Sequence, residues 1–242
     1  MDPILNVSNL RKSFGAVIVA DDLSFTLRAG EALGVIGPNG AGKTSMFNLI
    51  TGTLKADAGK IEFGKRDISA ETAANRCRAG IARSFQVPQP FSGLSVFENA
   101  LVAATQAADL RGEEAYAHCL NVVEQTGLAE KANTLASKLT LLDRKRLELT
   151  RALCAKPKLL LLDEIAGGLT EAECTLLIET IQDVRSTGIS IIWIEHVVHA
   201  LLAVVERLMV IDFGRKIGDG DPKMIMDSPQ VKEIYLGIEA DA

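Results

Sequence analysis

The chain has 242 residues, 48% hydrophobic, 24% charged and 5% aromatic, a globular composition that excludes disorder and coiled coil. Lys plus Arg number 26 against 31 Asp plus Glu, a net charge of −5. Binding to a phosphate backbone calls for the opposite balance, so nucleic acid is not an expected partner.

At the N-terminus Asp2 and Pro3 stand where a signal peptide would need a basic region and an apolar core, so none is expected. From Ile4 to Phe63 short apolar runs alternate with turn residues. Residues 23–27 (Leu-Ser-Phe-Thr-Leu) alternate with period two, as a half-buried strand does, while Ala32–Ile36 is a continuous apolar run of the kind found in buried parallel strands. From about Pro88 to Leu153 strand signals vanish. Ser95 and Glu98 form a capping box that opens a helix, and Ala/Leu/Glu-rich sequence follows to Gly127. Strand patterns return at residues 159–162, 189–194 and 208–211. A helix between the first two is boxed by Thr170 and Glu173, with Cys174, Leu177, Ile178, Ile181 and Val184 on one face. No run reaches the roughly 18 apolar residues of a spanning helix, because Glu195, His196, Glu206 and Arg207 break the stretch 189–210. Cys77, Cys119, Cys154 and Cys174 are dispersed without a Cys-x-x-Cys pair, which argues against zinc and disulfides and suits a reducing compartment. The pattern predicts an α/β fold with a mostly parallel sheet covered on both faces, its core over about 1–87 and 157–242 and a helical insert over about 88–156.

Two motifs carry chemistry. Gly37-Pro38-Asn39-Gly40-Ala41-Gly42-Lys43-Thr44 fits G-x-x-x-x-G-K-[ST] between a buried strand and a helix, with Ser45 continuing the site. Its glycines let backbone amides turn around a β-phosphate, Lys43 reaches the β- and γ-phosphates, and the Thr44 hydroxyl is placed for Mg²⁺. The apolar run 159–162 ends in Asp163 and Glu164. Ligands bind at the carboxyl ends of such strands, so Asp163 is expected to hold Mg²⁺ through water. Glu164 is expected to take a proton from a water attacking the γ-phosphate of ATP.

With Gln86 between these motifs and the strand ending in Glu195-His196 after them, the order resembles the nucleotide-binding domain of ABC transporters over nearly the whole chain. The resemblance implies a P-loop NTPase core of RecA-like type, with an N-terminal antiparallel β part and an inserted helical subdomain. It implies that Gln86 links the magnesium and water site to membrane subunits, that His196 contacts the γ-phosphate, and that Phe14 stacks on adenine. Residues 166–170 match the loop that touches an opposite subunit. More narrowly, Phe85-Gln86, the segment 94–103 and the tail Val231-Lys-Glu-Ile-Tyr-Leu-Gly237 are similar to the ATPase of branched-chain amino acid importers, whose relatives also serve amides, urea and aromatic acids. The expectation is an ATP-hydrolysing motor, peripheral on the cytoplasmic face of the cell membrane. Its partners would be transmembrane permease subunits, a second ATPase subunit and, indirectly, a solute-binding protein.

One motif departs from the family. Where Leu-Ser-Gly-Gly-Gln is expected, the chain has Leu139-Thr140-Leu141-Leu142-Asp143. In the family this signature covers ATP held by the other subunit. Thr140 keeps a hydroxyl, Leu141 and Leu142 give up glycine's close backbone approach, and Asp143 puts negative charge near a polyphosphate. The basic run Arg144-Lys145-Arg146 reads by default as a solvated helix face, the alternative being that it partly offsets Asp143. This asymmetry predicts a heterodimer with one complete and one weak site, a homodimer with a working variant signature being the alternative. Competing functions are an ATP-binding half that does not hydrolyse, a non-transport ABC ATPase and a small-molecule kinase. Against the last two stand the single P-loop, the short insert and the absence of an Arg-rich lid. His118 and His199 are read as ordinary helix residues, the cysteines as small apolar groups and Trp193 as core.

Overall fold

Every residue of β3 (Ala32–Ile36), β7 (Leu159–Asp163) and β8 (Ser190–Ile194) is buried, as unbroken apolar runs require of strands covered on both faces. The computed structural model describes residues 3–236, so Gly237 of the tail segment lies outside the described residues. Ahead of β3 run two long antiparallel strands, β1 (Pro3–Phe14) and β2 (Val17–Arg28). After it come α1 (Lys43–Thr51), β4 (Ala58–Phe63), β5 (Arg66–Asp67), α2 (Ala73–Ala79) and β6 (Ile81–Arg83). Between β6 and β7 the described residues form no strand, only α3 (Val96–Gln106), α4 (Gly112–Gln125), two short 3-10 turns and α5 (Leu141–Cys154). The chain then passes through β7, α6 (Glu171–Ser186), β8, α7 (Val198–Leu202), β9 (Arg207–Asp212), β10 (Arg215–Gly220), α8 (Pro222–Asp227) and α9 (Pro229–Leu236).

The larger sheet has the order β10-β9-β3-β8-β7-β6, parallel except for β10. Period two splits its residues between two cores. Ala32, Leu160, Leu162, Ile191 and Trp193 face the helical insert, whereas Leu33, Leu159, Leu161, Ile192 and Ile194 face α1 and the antiparallel sheet β2-β1-β4-β5. β7 lies between β8 and β6, and β3 lies beside β8. One edge of the sheet therefore collects the loop after β3, the end of β7, the loop after β8 and the loop after β6.

Both capping boxes form, with Ser95 and Glu98 opening α3 and Thr170 and Glu173 opening α6. The Ala/Leu/Glu-rich stretch to Gly127 forms two helices, α3 and α4. Asp109 adopts φ +54°, a left-handed turn that Asp tolerates, and Leu110 folds back into the core, separating α3 from α4. On α6 the buried face includes Thr180, and Ile178 is half-buried. Cys77 and His118 are also half-buried, His199 is exposed, and the other cysteines and Trp193 are buried. Leu160 is 0% exposed in the sheet's insert-facing core, so Leu160→Ala is expected to cost about 2–5 kcal/mol in urea unfolding.

Candidate active site

The loop after β3 is built around close approaches that only glycine permits. A Cβ on Gly37 would stand 2.1 Å from the Ile211 carbonyl oxygen, and one on Gly42 would stand 2.3 Å from that of Val19. Gly42, at φ +100°, is also the N-cap of α1, where no side chain caps the first amides. The positive end of α1 thus keeps its orphan donors for an anion. Lys43 is buried, and its Nζ donates to the carbonyls of Gly37 (2.6 Å) and Pro38 (2.9 Å). Burial lowers its pKa, opposed by the fields of Glu164 and Asp163. Asn39, Gly40 and Thr44 are exposed, Pro38 and Ser45 half-buried, and Ala41 buried with its carbonyl accepting from the Gly214 amide at 2.8 Å. Phe14 ends β1 opposite Val17, 53% exposed, with Lys12 Nζ 5.3 Å from its ring centre. Val19, on the same hairpin, is the residue against which Gly42 packs.

Asp163 closes β7 at 2% exposure. Its Oδ2 accepts from Arg83 Nη2 at 2.5 Å, and Arg83 Nη1 donates to Asn48 Oδ1 on α1 at 2.6 Å. Burial raises the Asp163 pKa, with the Arg83 hydrogen bond and charge opposing the rise. Its other oxygen, Oδ1, is buried and has no hydrogen-bond partner among the described residues. Such an atom fits water or a divalent cation better than a sealed core.

Glu164 turns away from the strand at φ +48°, a left-handed conformation uncommon outside glycine. Its Oε2 accepts from Gln86 Nε2 at 2.5 Å, and its Oε1 lies 2.9 Å from His196 Nε2. Gln86, Glu164 and His196 are thus joined directly, although they come from the ends of three strands. Glu195, 1% exposed, completes the edge by accepting from the amides of Ala166 (2.7 Å), His196 (3.0 Å) and Val197 (3.4 Å). Burial raises its pKa, and these amide bonds oppose the rise.

In the signature segment two side chains find their partners within the chain. Thr140 is the N-cap of α5, accepting from the Asp143 amide at 3.3 Å and donating to Asp143 Oδ2 at 2.8 Å. Asp143 is not presented outward. Its side chain is buried against Lys131 Nζ at 2.5 Å, because a charge at this third helical position is best placed where it can cap the helix and meet a cation. Leu142 is buried and Leu141 is 45% exposed. A Cβ on Gly168 would stand 3.4 Å from Leu141, so the loop 166–170 and the start of α5 are neighbours. The basic run divides. Arg144 is exposed and Arg146 half-buried, but Lys145 is 3% exposed, correcting the reading of a solvated face. Residues 142, 145, 149 and 152 follow helical spacing, and Leu142, Leu149 and Ala152 are all buried, which was the available signal.

Arg83, Asn48 and Glu195 were not anticipated either. Arg83 carried a signal: a charge on a strand adjoining one that ends in a carboxylate.

Residues 20–167 match the ABC transporter family. The chain belongs to that family. It is 34% identical to the lipopolysaccharide export system ATP-binding protein LptB of Haemophilus influenzae, covering 97% of each chain. It is also 34% identical to the high-affinity branched-chain amino acid transport ATP-binding protein LivG of Salmonella typhimurium, covering 97% of this chain and 98% of that one. A nucleotide-free ATP-binding cassette from an ABC transporter superposes with TM-score 0.90 at 29% identity over 98% of this chain and 100% of that one. The ADP conformation of another such cassette gives 0.89 at 30% identity over 98% and 100%. ABC ATP-binding subunits are ATPases that work with membrane permease subunits. Among the described residues no helix is long and apolar enough to cross a membrane.

The Arg83–Asp163 pair has an unfolding signature. Arg83→Met leaves a carboxylate buried without its cation, an expected loss of about 3–5 kcal/mol at neutral pH. The loss should shrink as pH falls, because a protonated Asp163 needs no counter-ion. Denaturant titrations at two pH values check both the size and the direction.

Proposed function

We propose that this chain hydrolyses ATP with Glu164 as general base and powers uptake of a small solute, such as a branched-chain or other amino acid, amide or organic acid. The observation that carries the catalytic part is the join of Glu164 to Gln86 and His196 beside the Lys43 cradle. ATP would lie along the loop 37–45 with its phosphates at the α1 N-terminus and its base against Phe14. Lys43 would leave its two carbonyl partners for the β- and γ-phosphates. Thr44, Gln86 and Asp163 are the residues assigned to Mg²⁺, and the partnerless Asp163 Oδ1 fits that assignment. When bound, the ion supplies positive charge against the phosphate oxygens. A water oxygen attacks the γ-phosphorus, the bond to ADP breaks, and Glu164 takes the water's proton. His196 and Gln86 hold the carboxylate in place, and by the family resemblance His196 would also contact the γ-phosphate.

For the transport partner, an apolar groove of about 320 Å³ lies next to Gln86, lined by Phe85, Phe91, Val102, Ala103 and Ala107. Phe85 and Phe91 are 46% and 47% exposed, an unusual pair of aromatics to leave in water. We assign this groove to a segment of a permease subunit, which places the chain peripherally at the cytoplasmic face. Import is favoured by the likeness of Phe85-Gln86 and the segment 94–103 to the amino acid importers. Export of a lipid-like substrate, as the name LptB indicates for that relative, is the second reading. The leucines of the signature favour pairing with a different ATPase that carries a standard signature, a homodimer being the alternative.

Glu164→Gln is expected to cut turnover on the order of 10²–10⁴-fold while ATP binding persists, in a phosphate-release assay on the purified chain with its membrane partners. Unchanged turnover overturns the assignment of the base. The same tagged variant, loaded with ATP and Mg²⁺ in native membranes, should retain multi-span proteins and a second ATPase. Recovery of the chain alone, or of soluble proteins only, overturns the transport reading. Solute uptake by cells lacking the gene, compared with their envelope lipid export, separates import from export.

A further inference from the structure

Lys145 is the buried member of the basic run and has no part in the hydrolytic roles assigned to Lys43, Gln86, Glu164 and His196. It sits in the first half of α5, 3% exposed, on the stripe that packs toward the sheet edge. Its Nζ donates to the backbone carbonyls of Gln86 (3.4 Å) and Glu164 (3.3 Å). These are the two residues whose side chains meet in the active site. A buried ammonium persists only where acceptors and negative charge replace its lost hydration. Here the two carbonyls and the carboxylates of Glu195 and Glu164 do so.

The neighbouring turns of α5 continue the grip. Glu148, one turn on, accepts from the Gln89 amide at 2.8 Å, and Arg151 Nη1 donates to the Gln89 carbonyl at 2.9 Å. Both ends of the segment 86–89 are therefore held by side chains of one helix. Only Lys145 also reaches across to β7's exit, where Glu164 leaves the sheet in its left-handed turn.

We propose that Lys145 is a positioning residue for hydrolysis, its ammonium setting where the backbones of Gln86 and Glu164 lie relative to each other. It rests on Glu164 being the base. Loss of the ammonium frees two carbonyls to shift apart, so the Gln86–Glu164 contact loosens while the P-loop, which Lys145 does not touch, still binds ATP. A role confined to stability would lower the melting temperature and leave the turnover of folded protein unchanged.

The test compares Lys145→Met, Lys145→Gln and Lys145→Arg with wild type and Glu164→Gln in the full chain with its membrane partners. Lys145→Met is expected to lower kcat about tenfold or more with the ATP dissociation constant within about twofold, and Lys145→Arg to restore most of the turnover. If the Met variant does not fold, Gln against Arg gives the same comparison. Wild-type kcat in Lys145→Met or Lys145→Gln, a parallel loss of ATP affinity, or an Arg variant as slow as Met overturns the proposal. If Glu164→Gln turns over normally, the base assignment fails whatever Lys145 does. If it is inactive while Lys145→Met is normal, the Lys145 proposal alone fails.

Discussion

A sheet whose strands are apolar on both faces has no place for charge except at its ends, and at the carboxyl end of this one a set of buried charges meets. Asp163, Glu195, Lys43, Lys145 and Glu148 are each less than a tenth exposed, as is the side chain of Arg83. An ion taken out of water costs several kcal/mol unless its partners are well placed. Each of these therefore has a fixed companion: a carboxylate for Arg83, backbone carbonyls for Lys43 and Lys145, backbone amides for Glu195. That requirement orders the loops around Glu164, and their order gives the site its geometry.

The strands that form this edge were legible because their signal is local. Residues 32–36 and 159–162 are runs of apolar side chains, and the loop 37–44 is a string in which Gly37 and Gly42 are required by contacts to Ile211 and Val19. Both capping boxes were equally plain. The break between α3 and α4 was not, since it depends on Asp109 accepting a left-handed turn so that Leu110 can be buried.

The candidate site divides along the same line. Gln86, Glu164 and His196 were expected separately, each at a strand end, and the parallel pairing of β6, β7 and β8 is what makes them neighbours. Arg83, Glu195 and Lys145 escaped because their partners are 80, 29 and 19 residues away, beyond the reach of the local spacing that marks the positions of Lys145 and Arg83. Asp143 shows the converse. Its sign suggested repulsion of a polyphosphate, but Lys131 and Thr140 absorb that charge within the chain itself.

Arg83 also bridges two elements, α1 and β7. Through Asn48 and a stacking contact with Phe47, 5.4 Å from its guanidinium, it is seated on α1, the helix that follows the glycine loop. Its other arm ends on Asp163. One planar cation thus ties the helix that follows the glycine loop to the carboxylate at the end of the neighbouring strand, and neither can shift without disturbing a charged hydrogen bond.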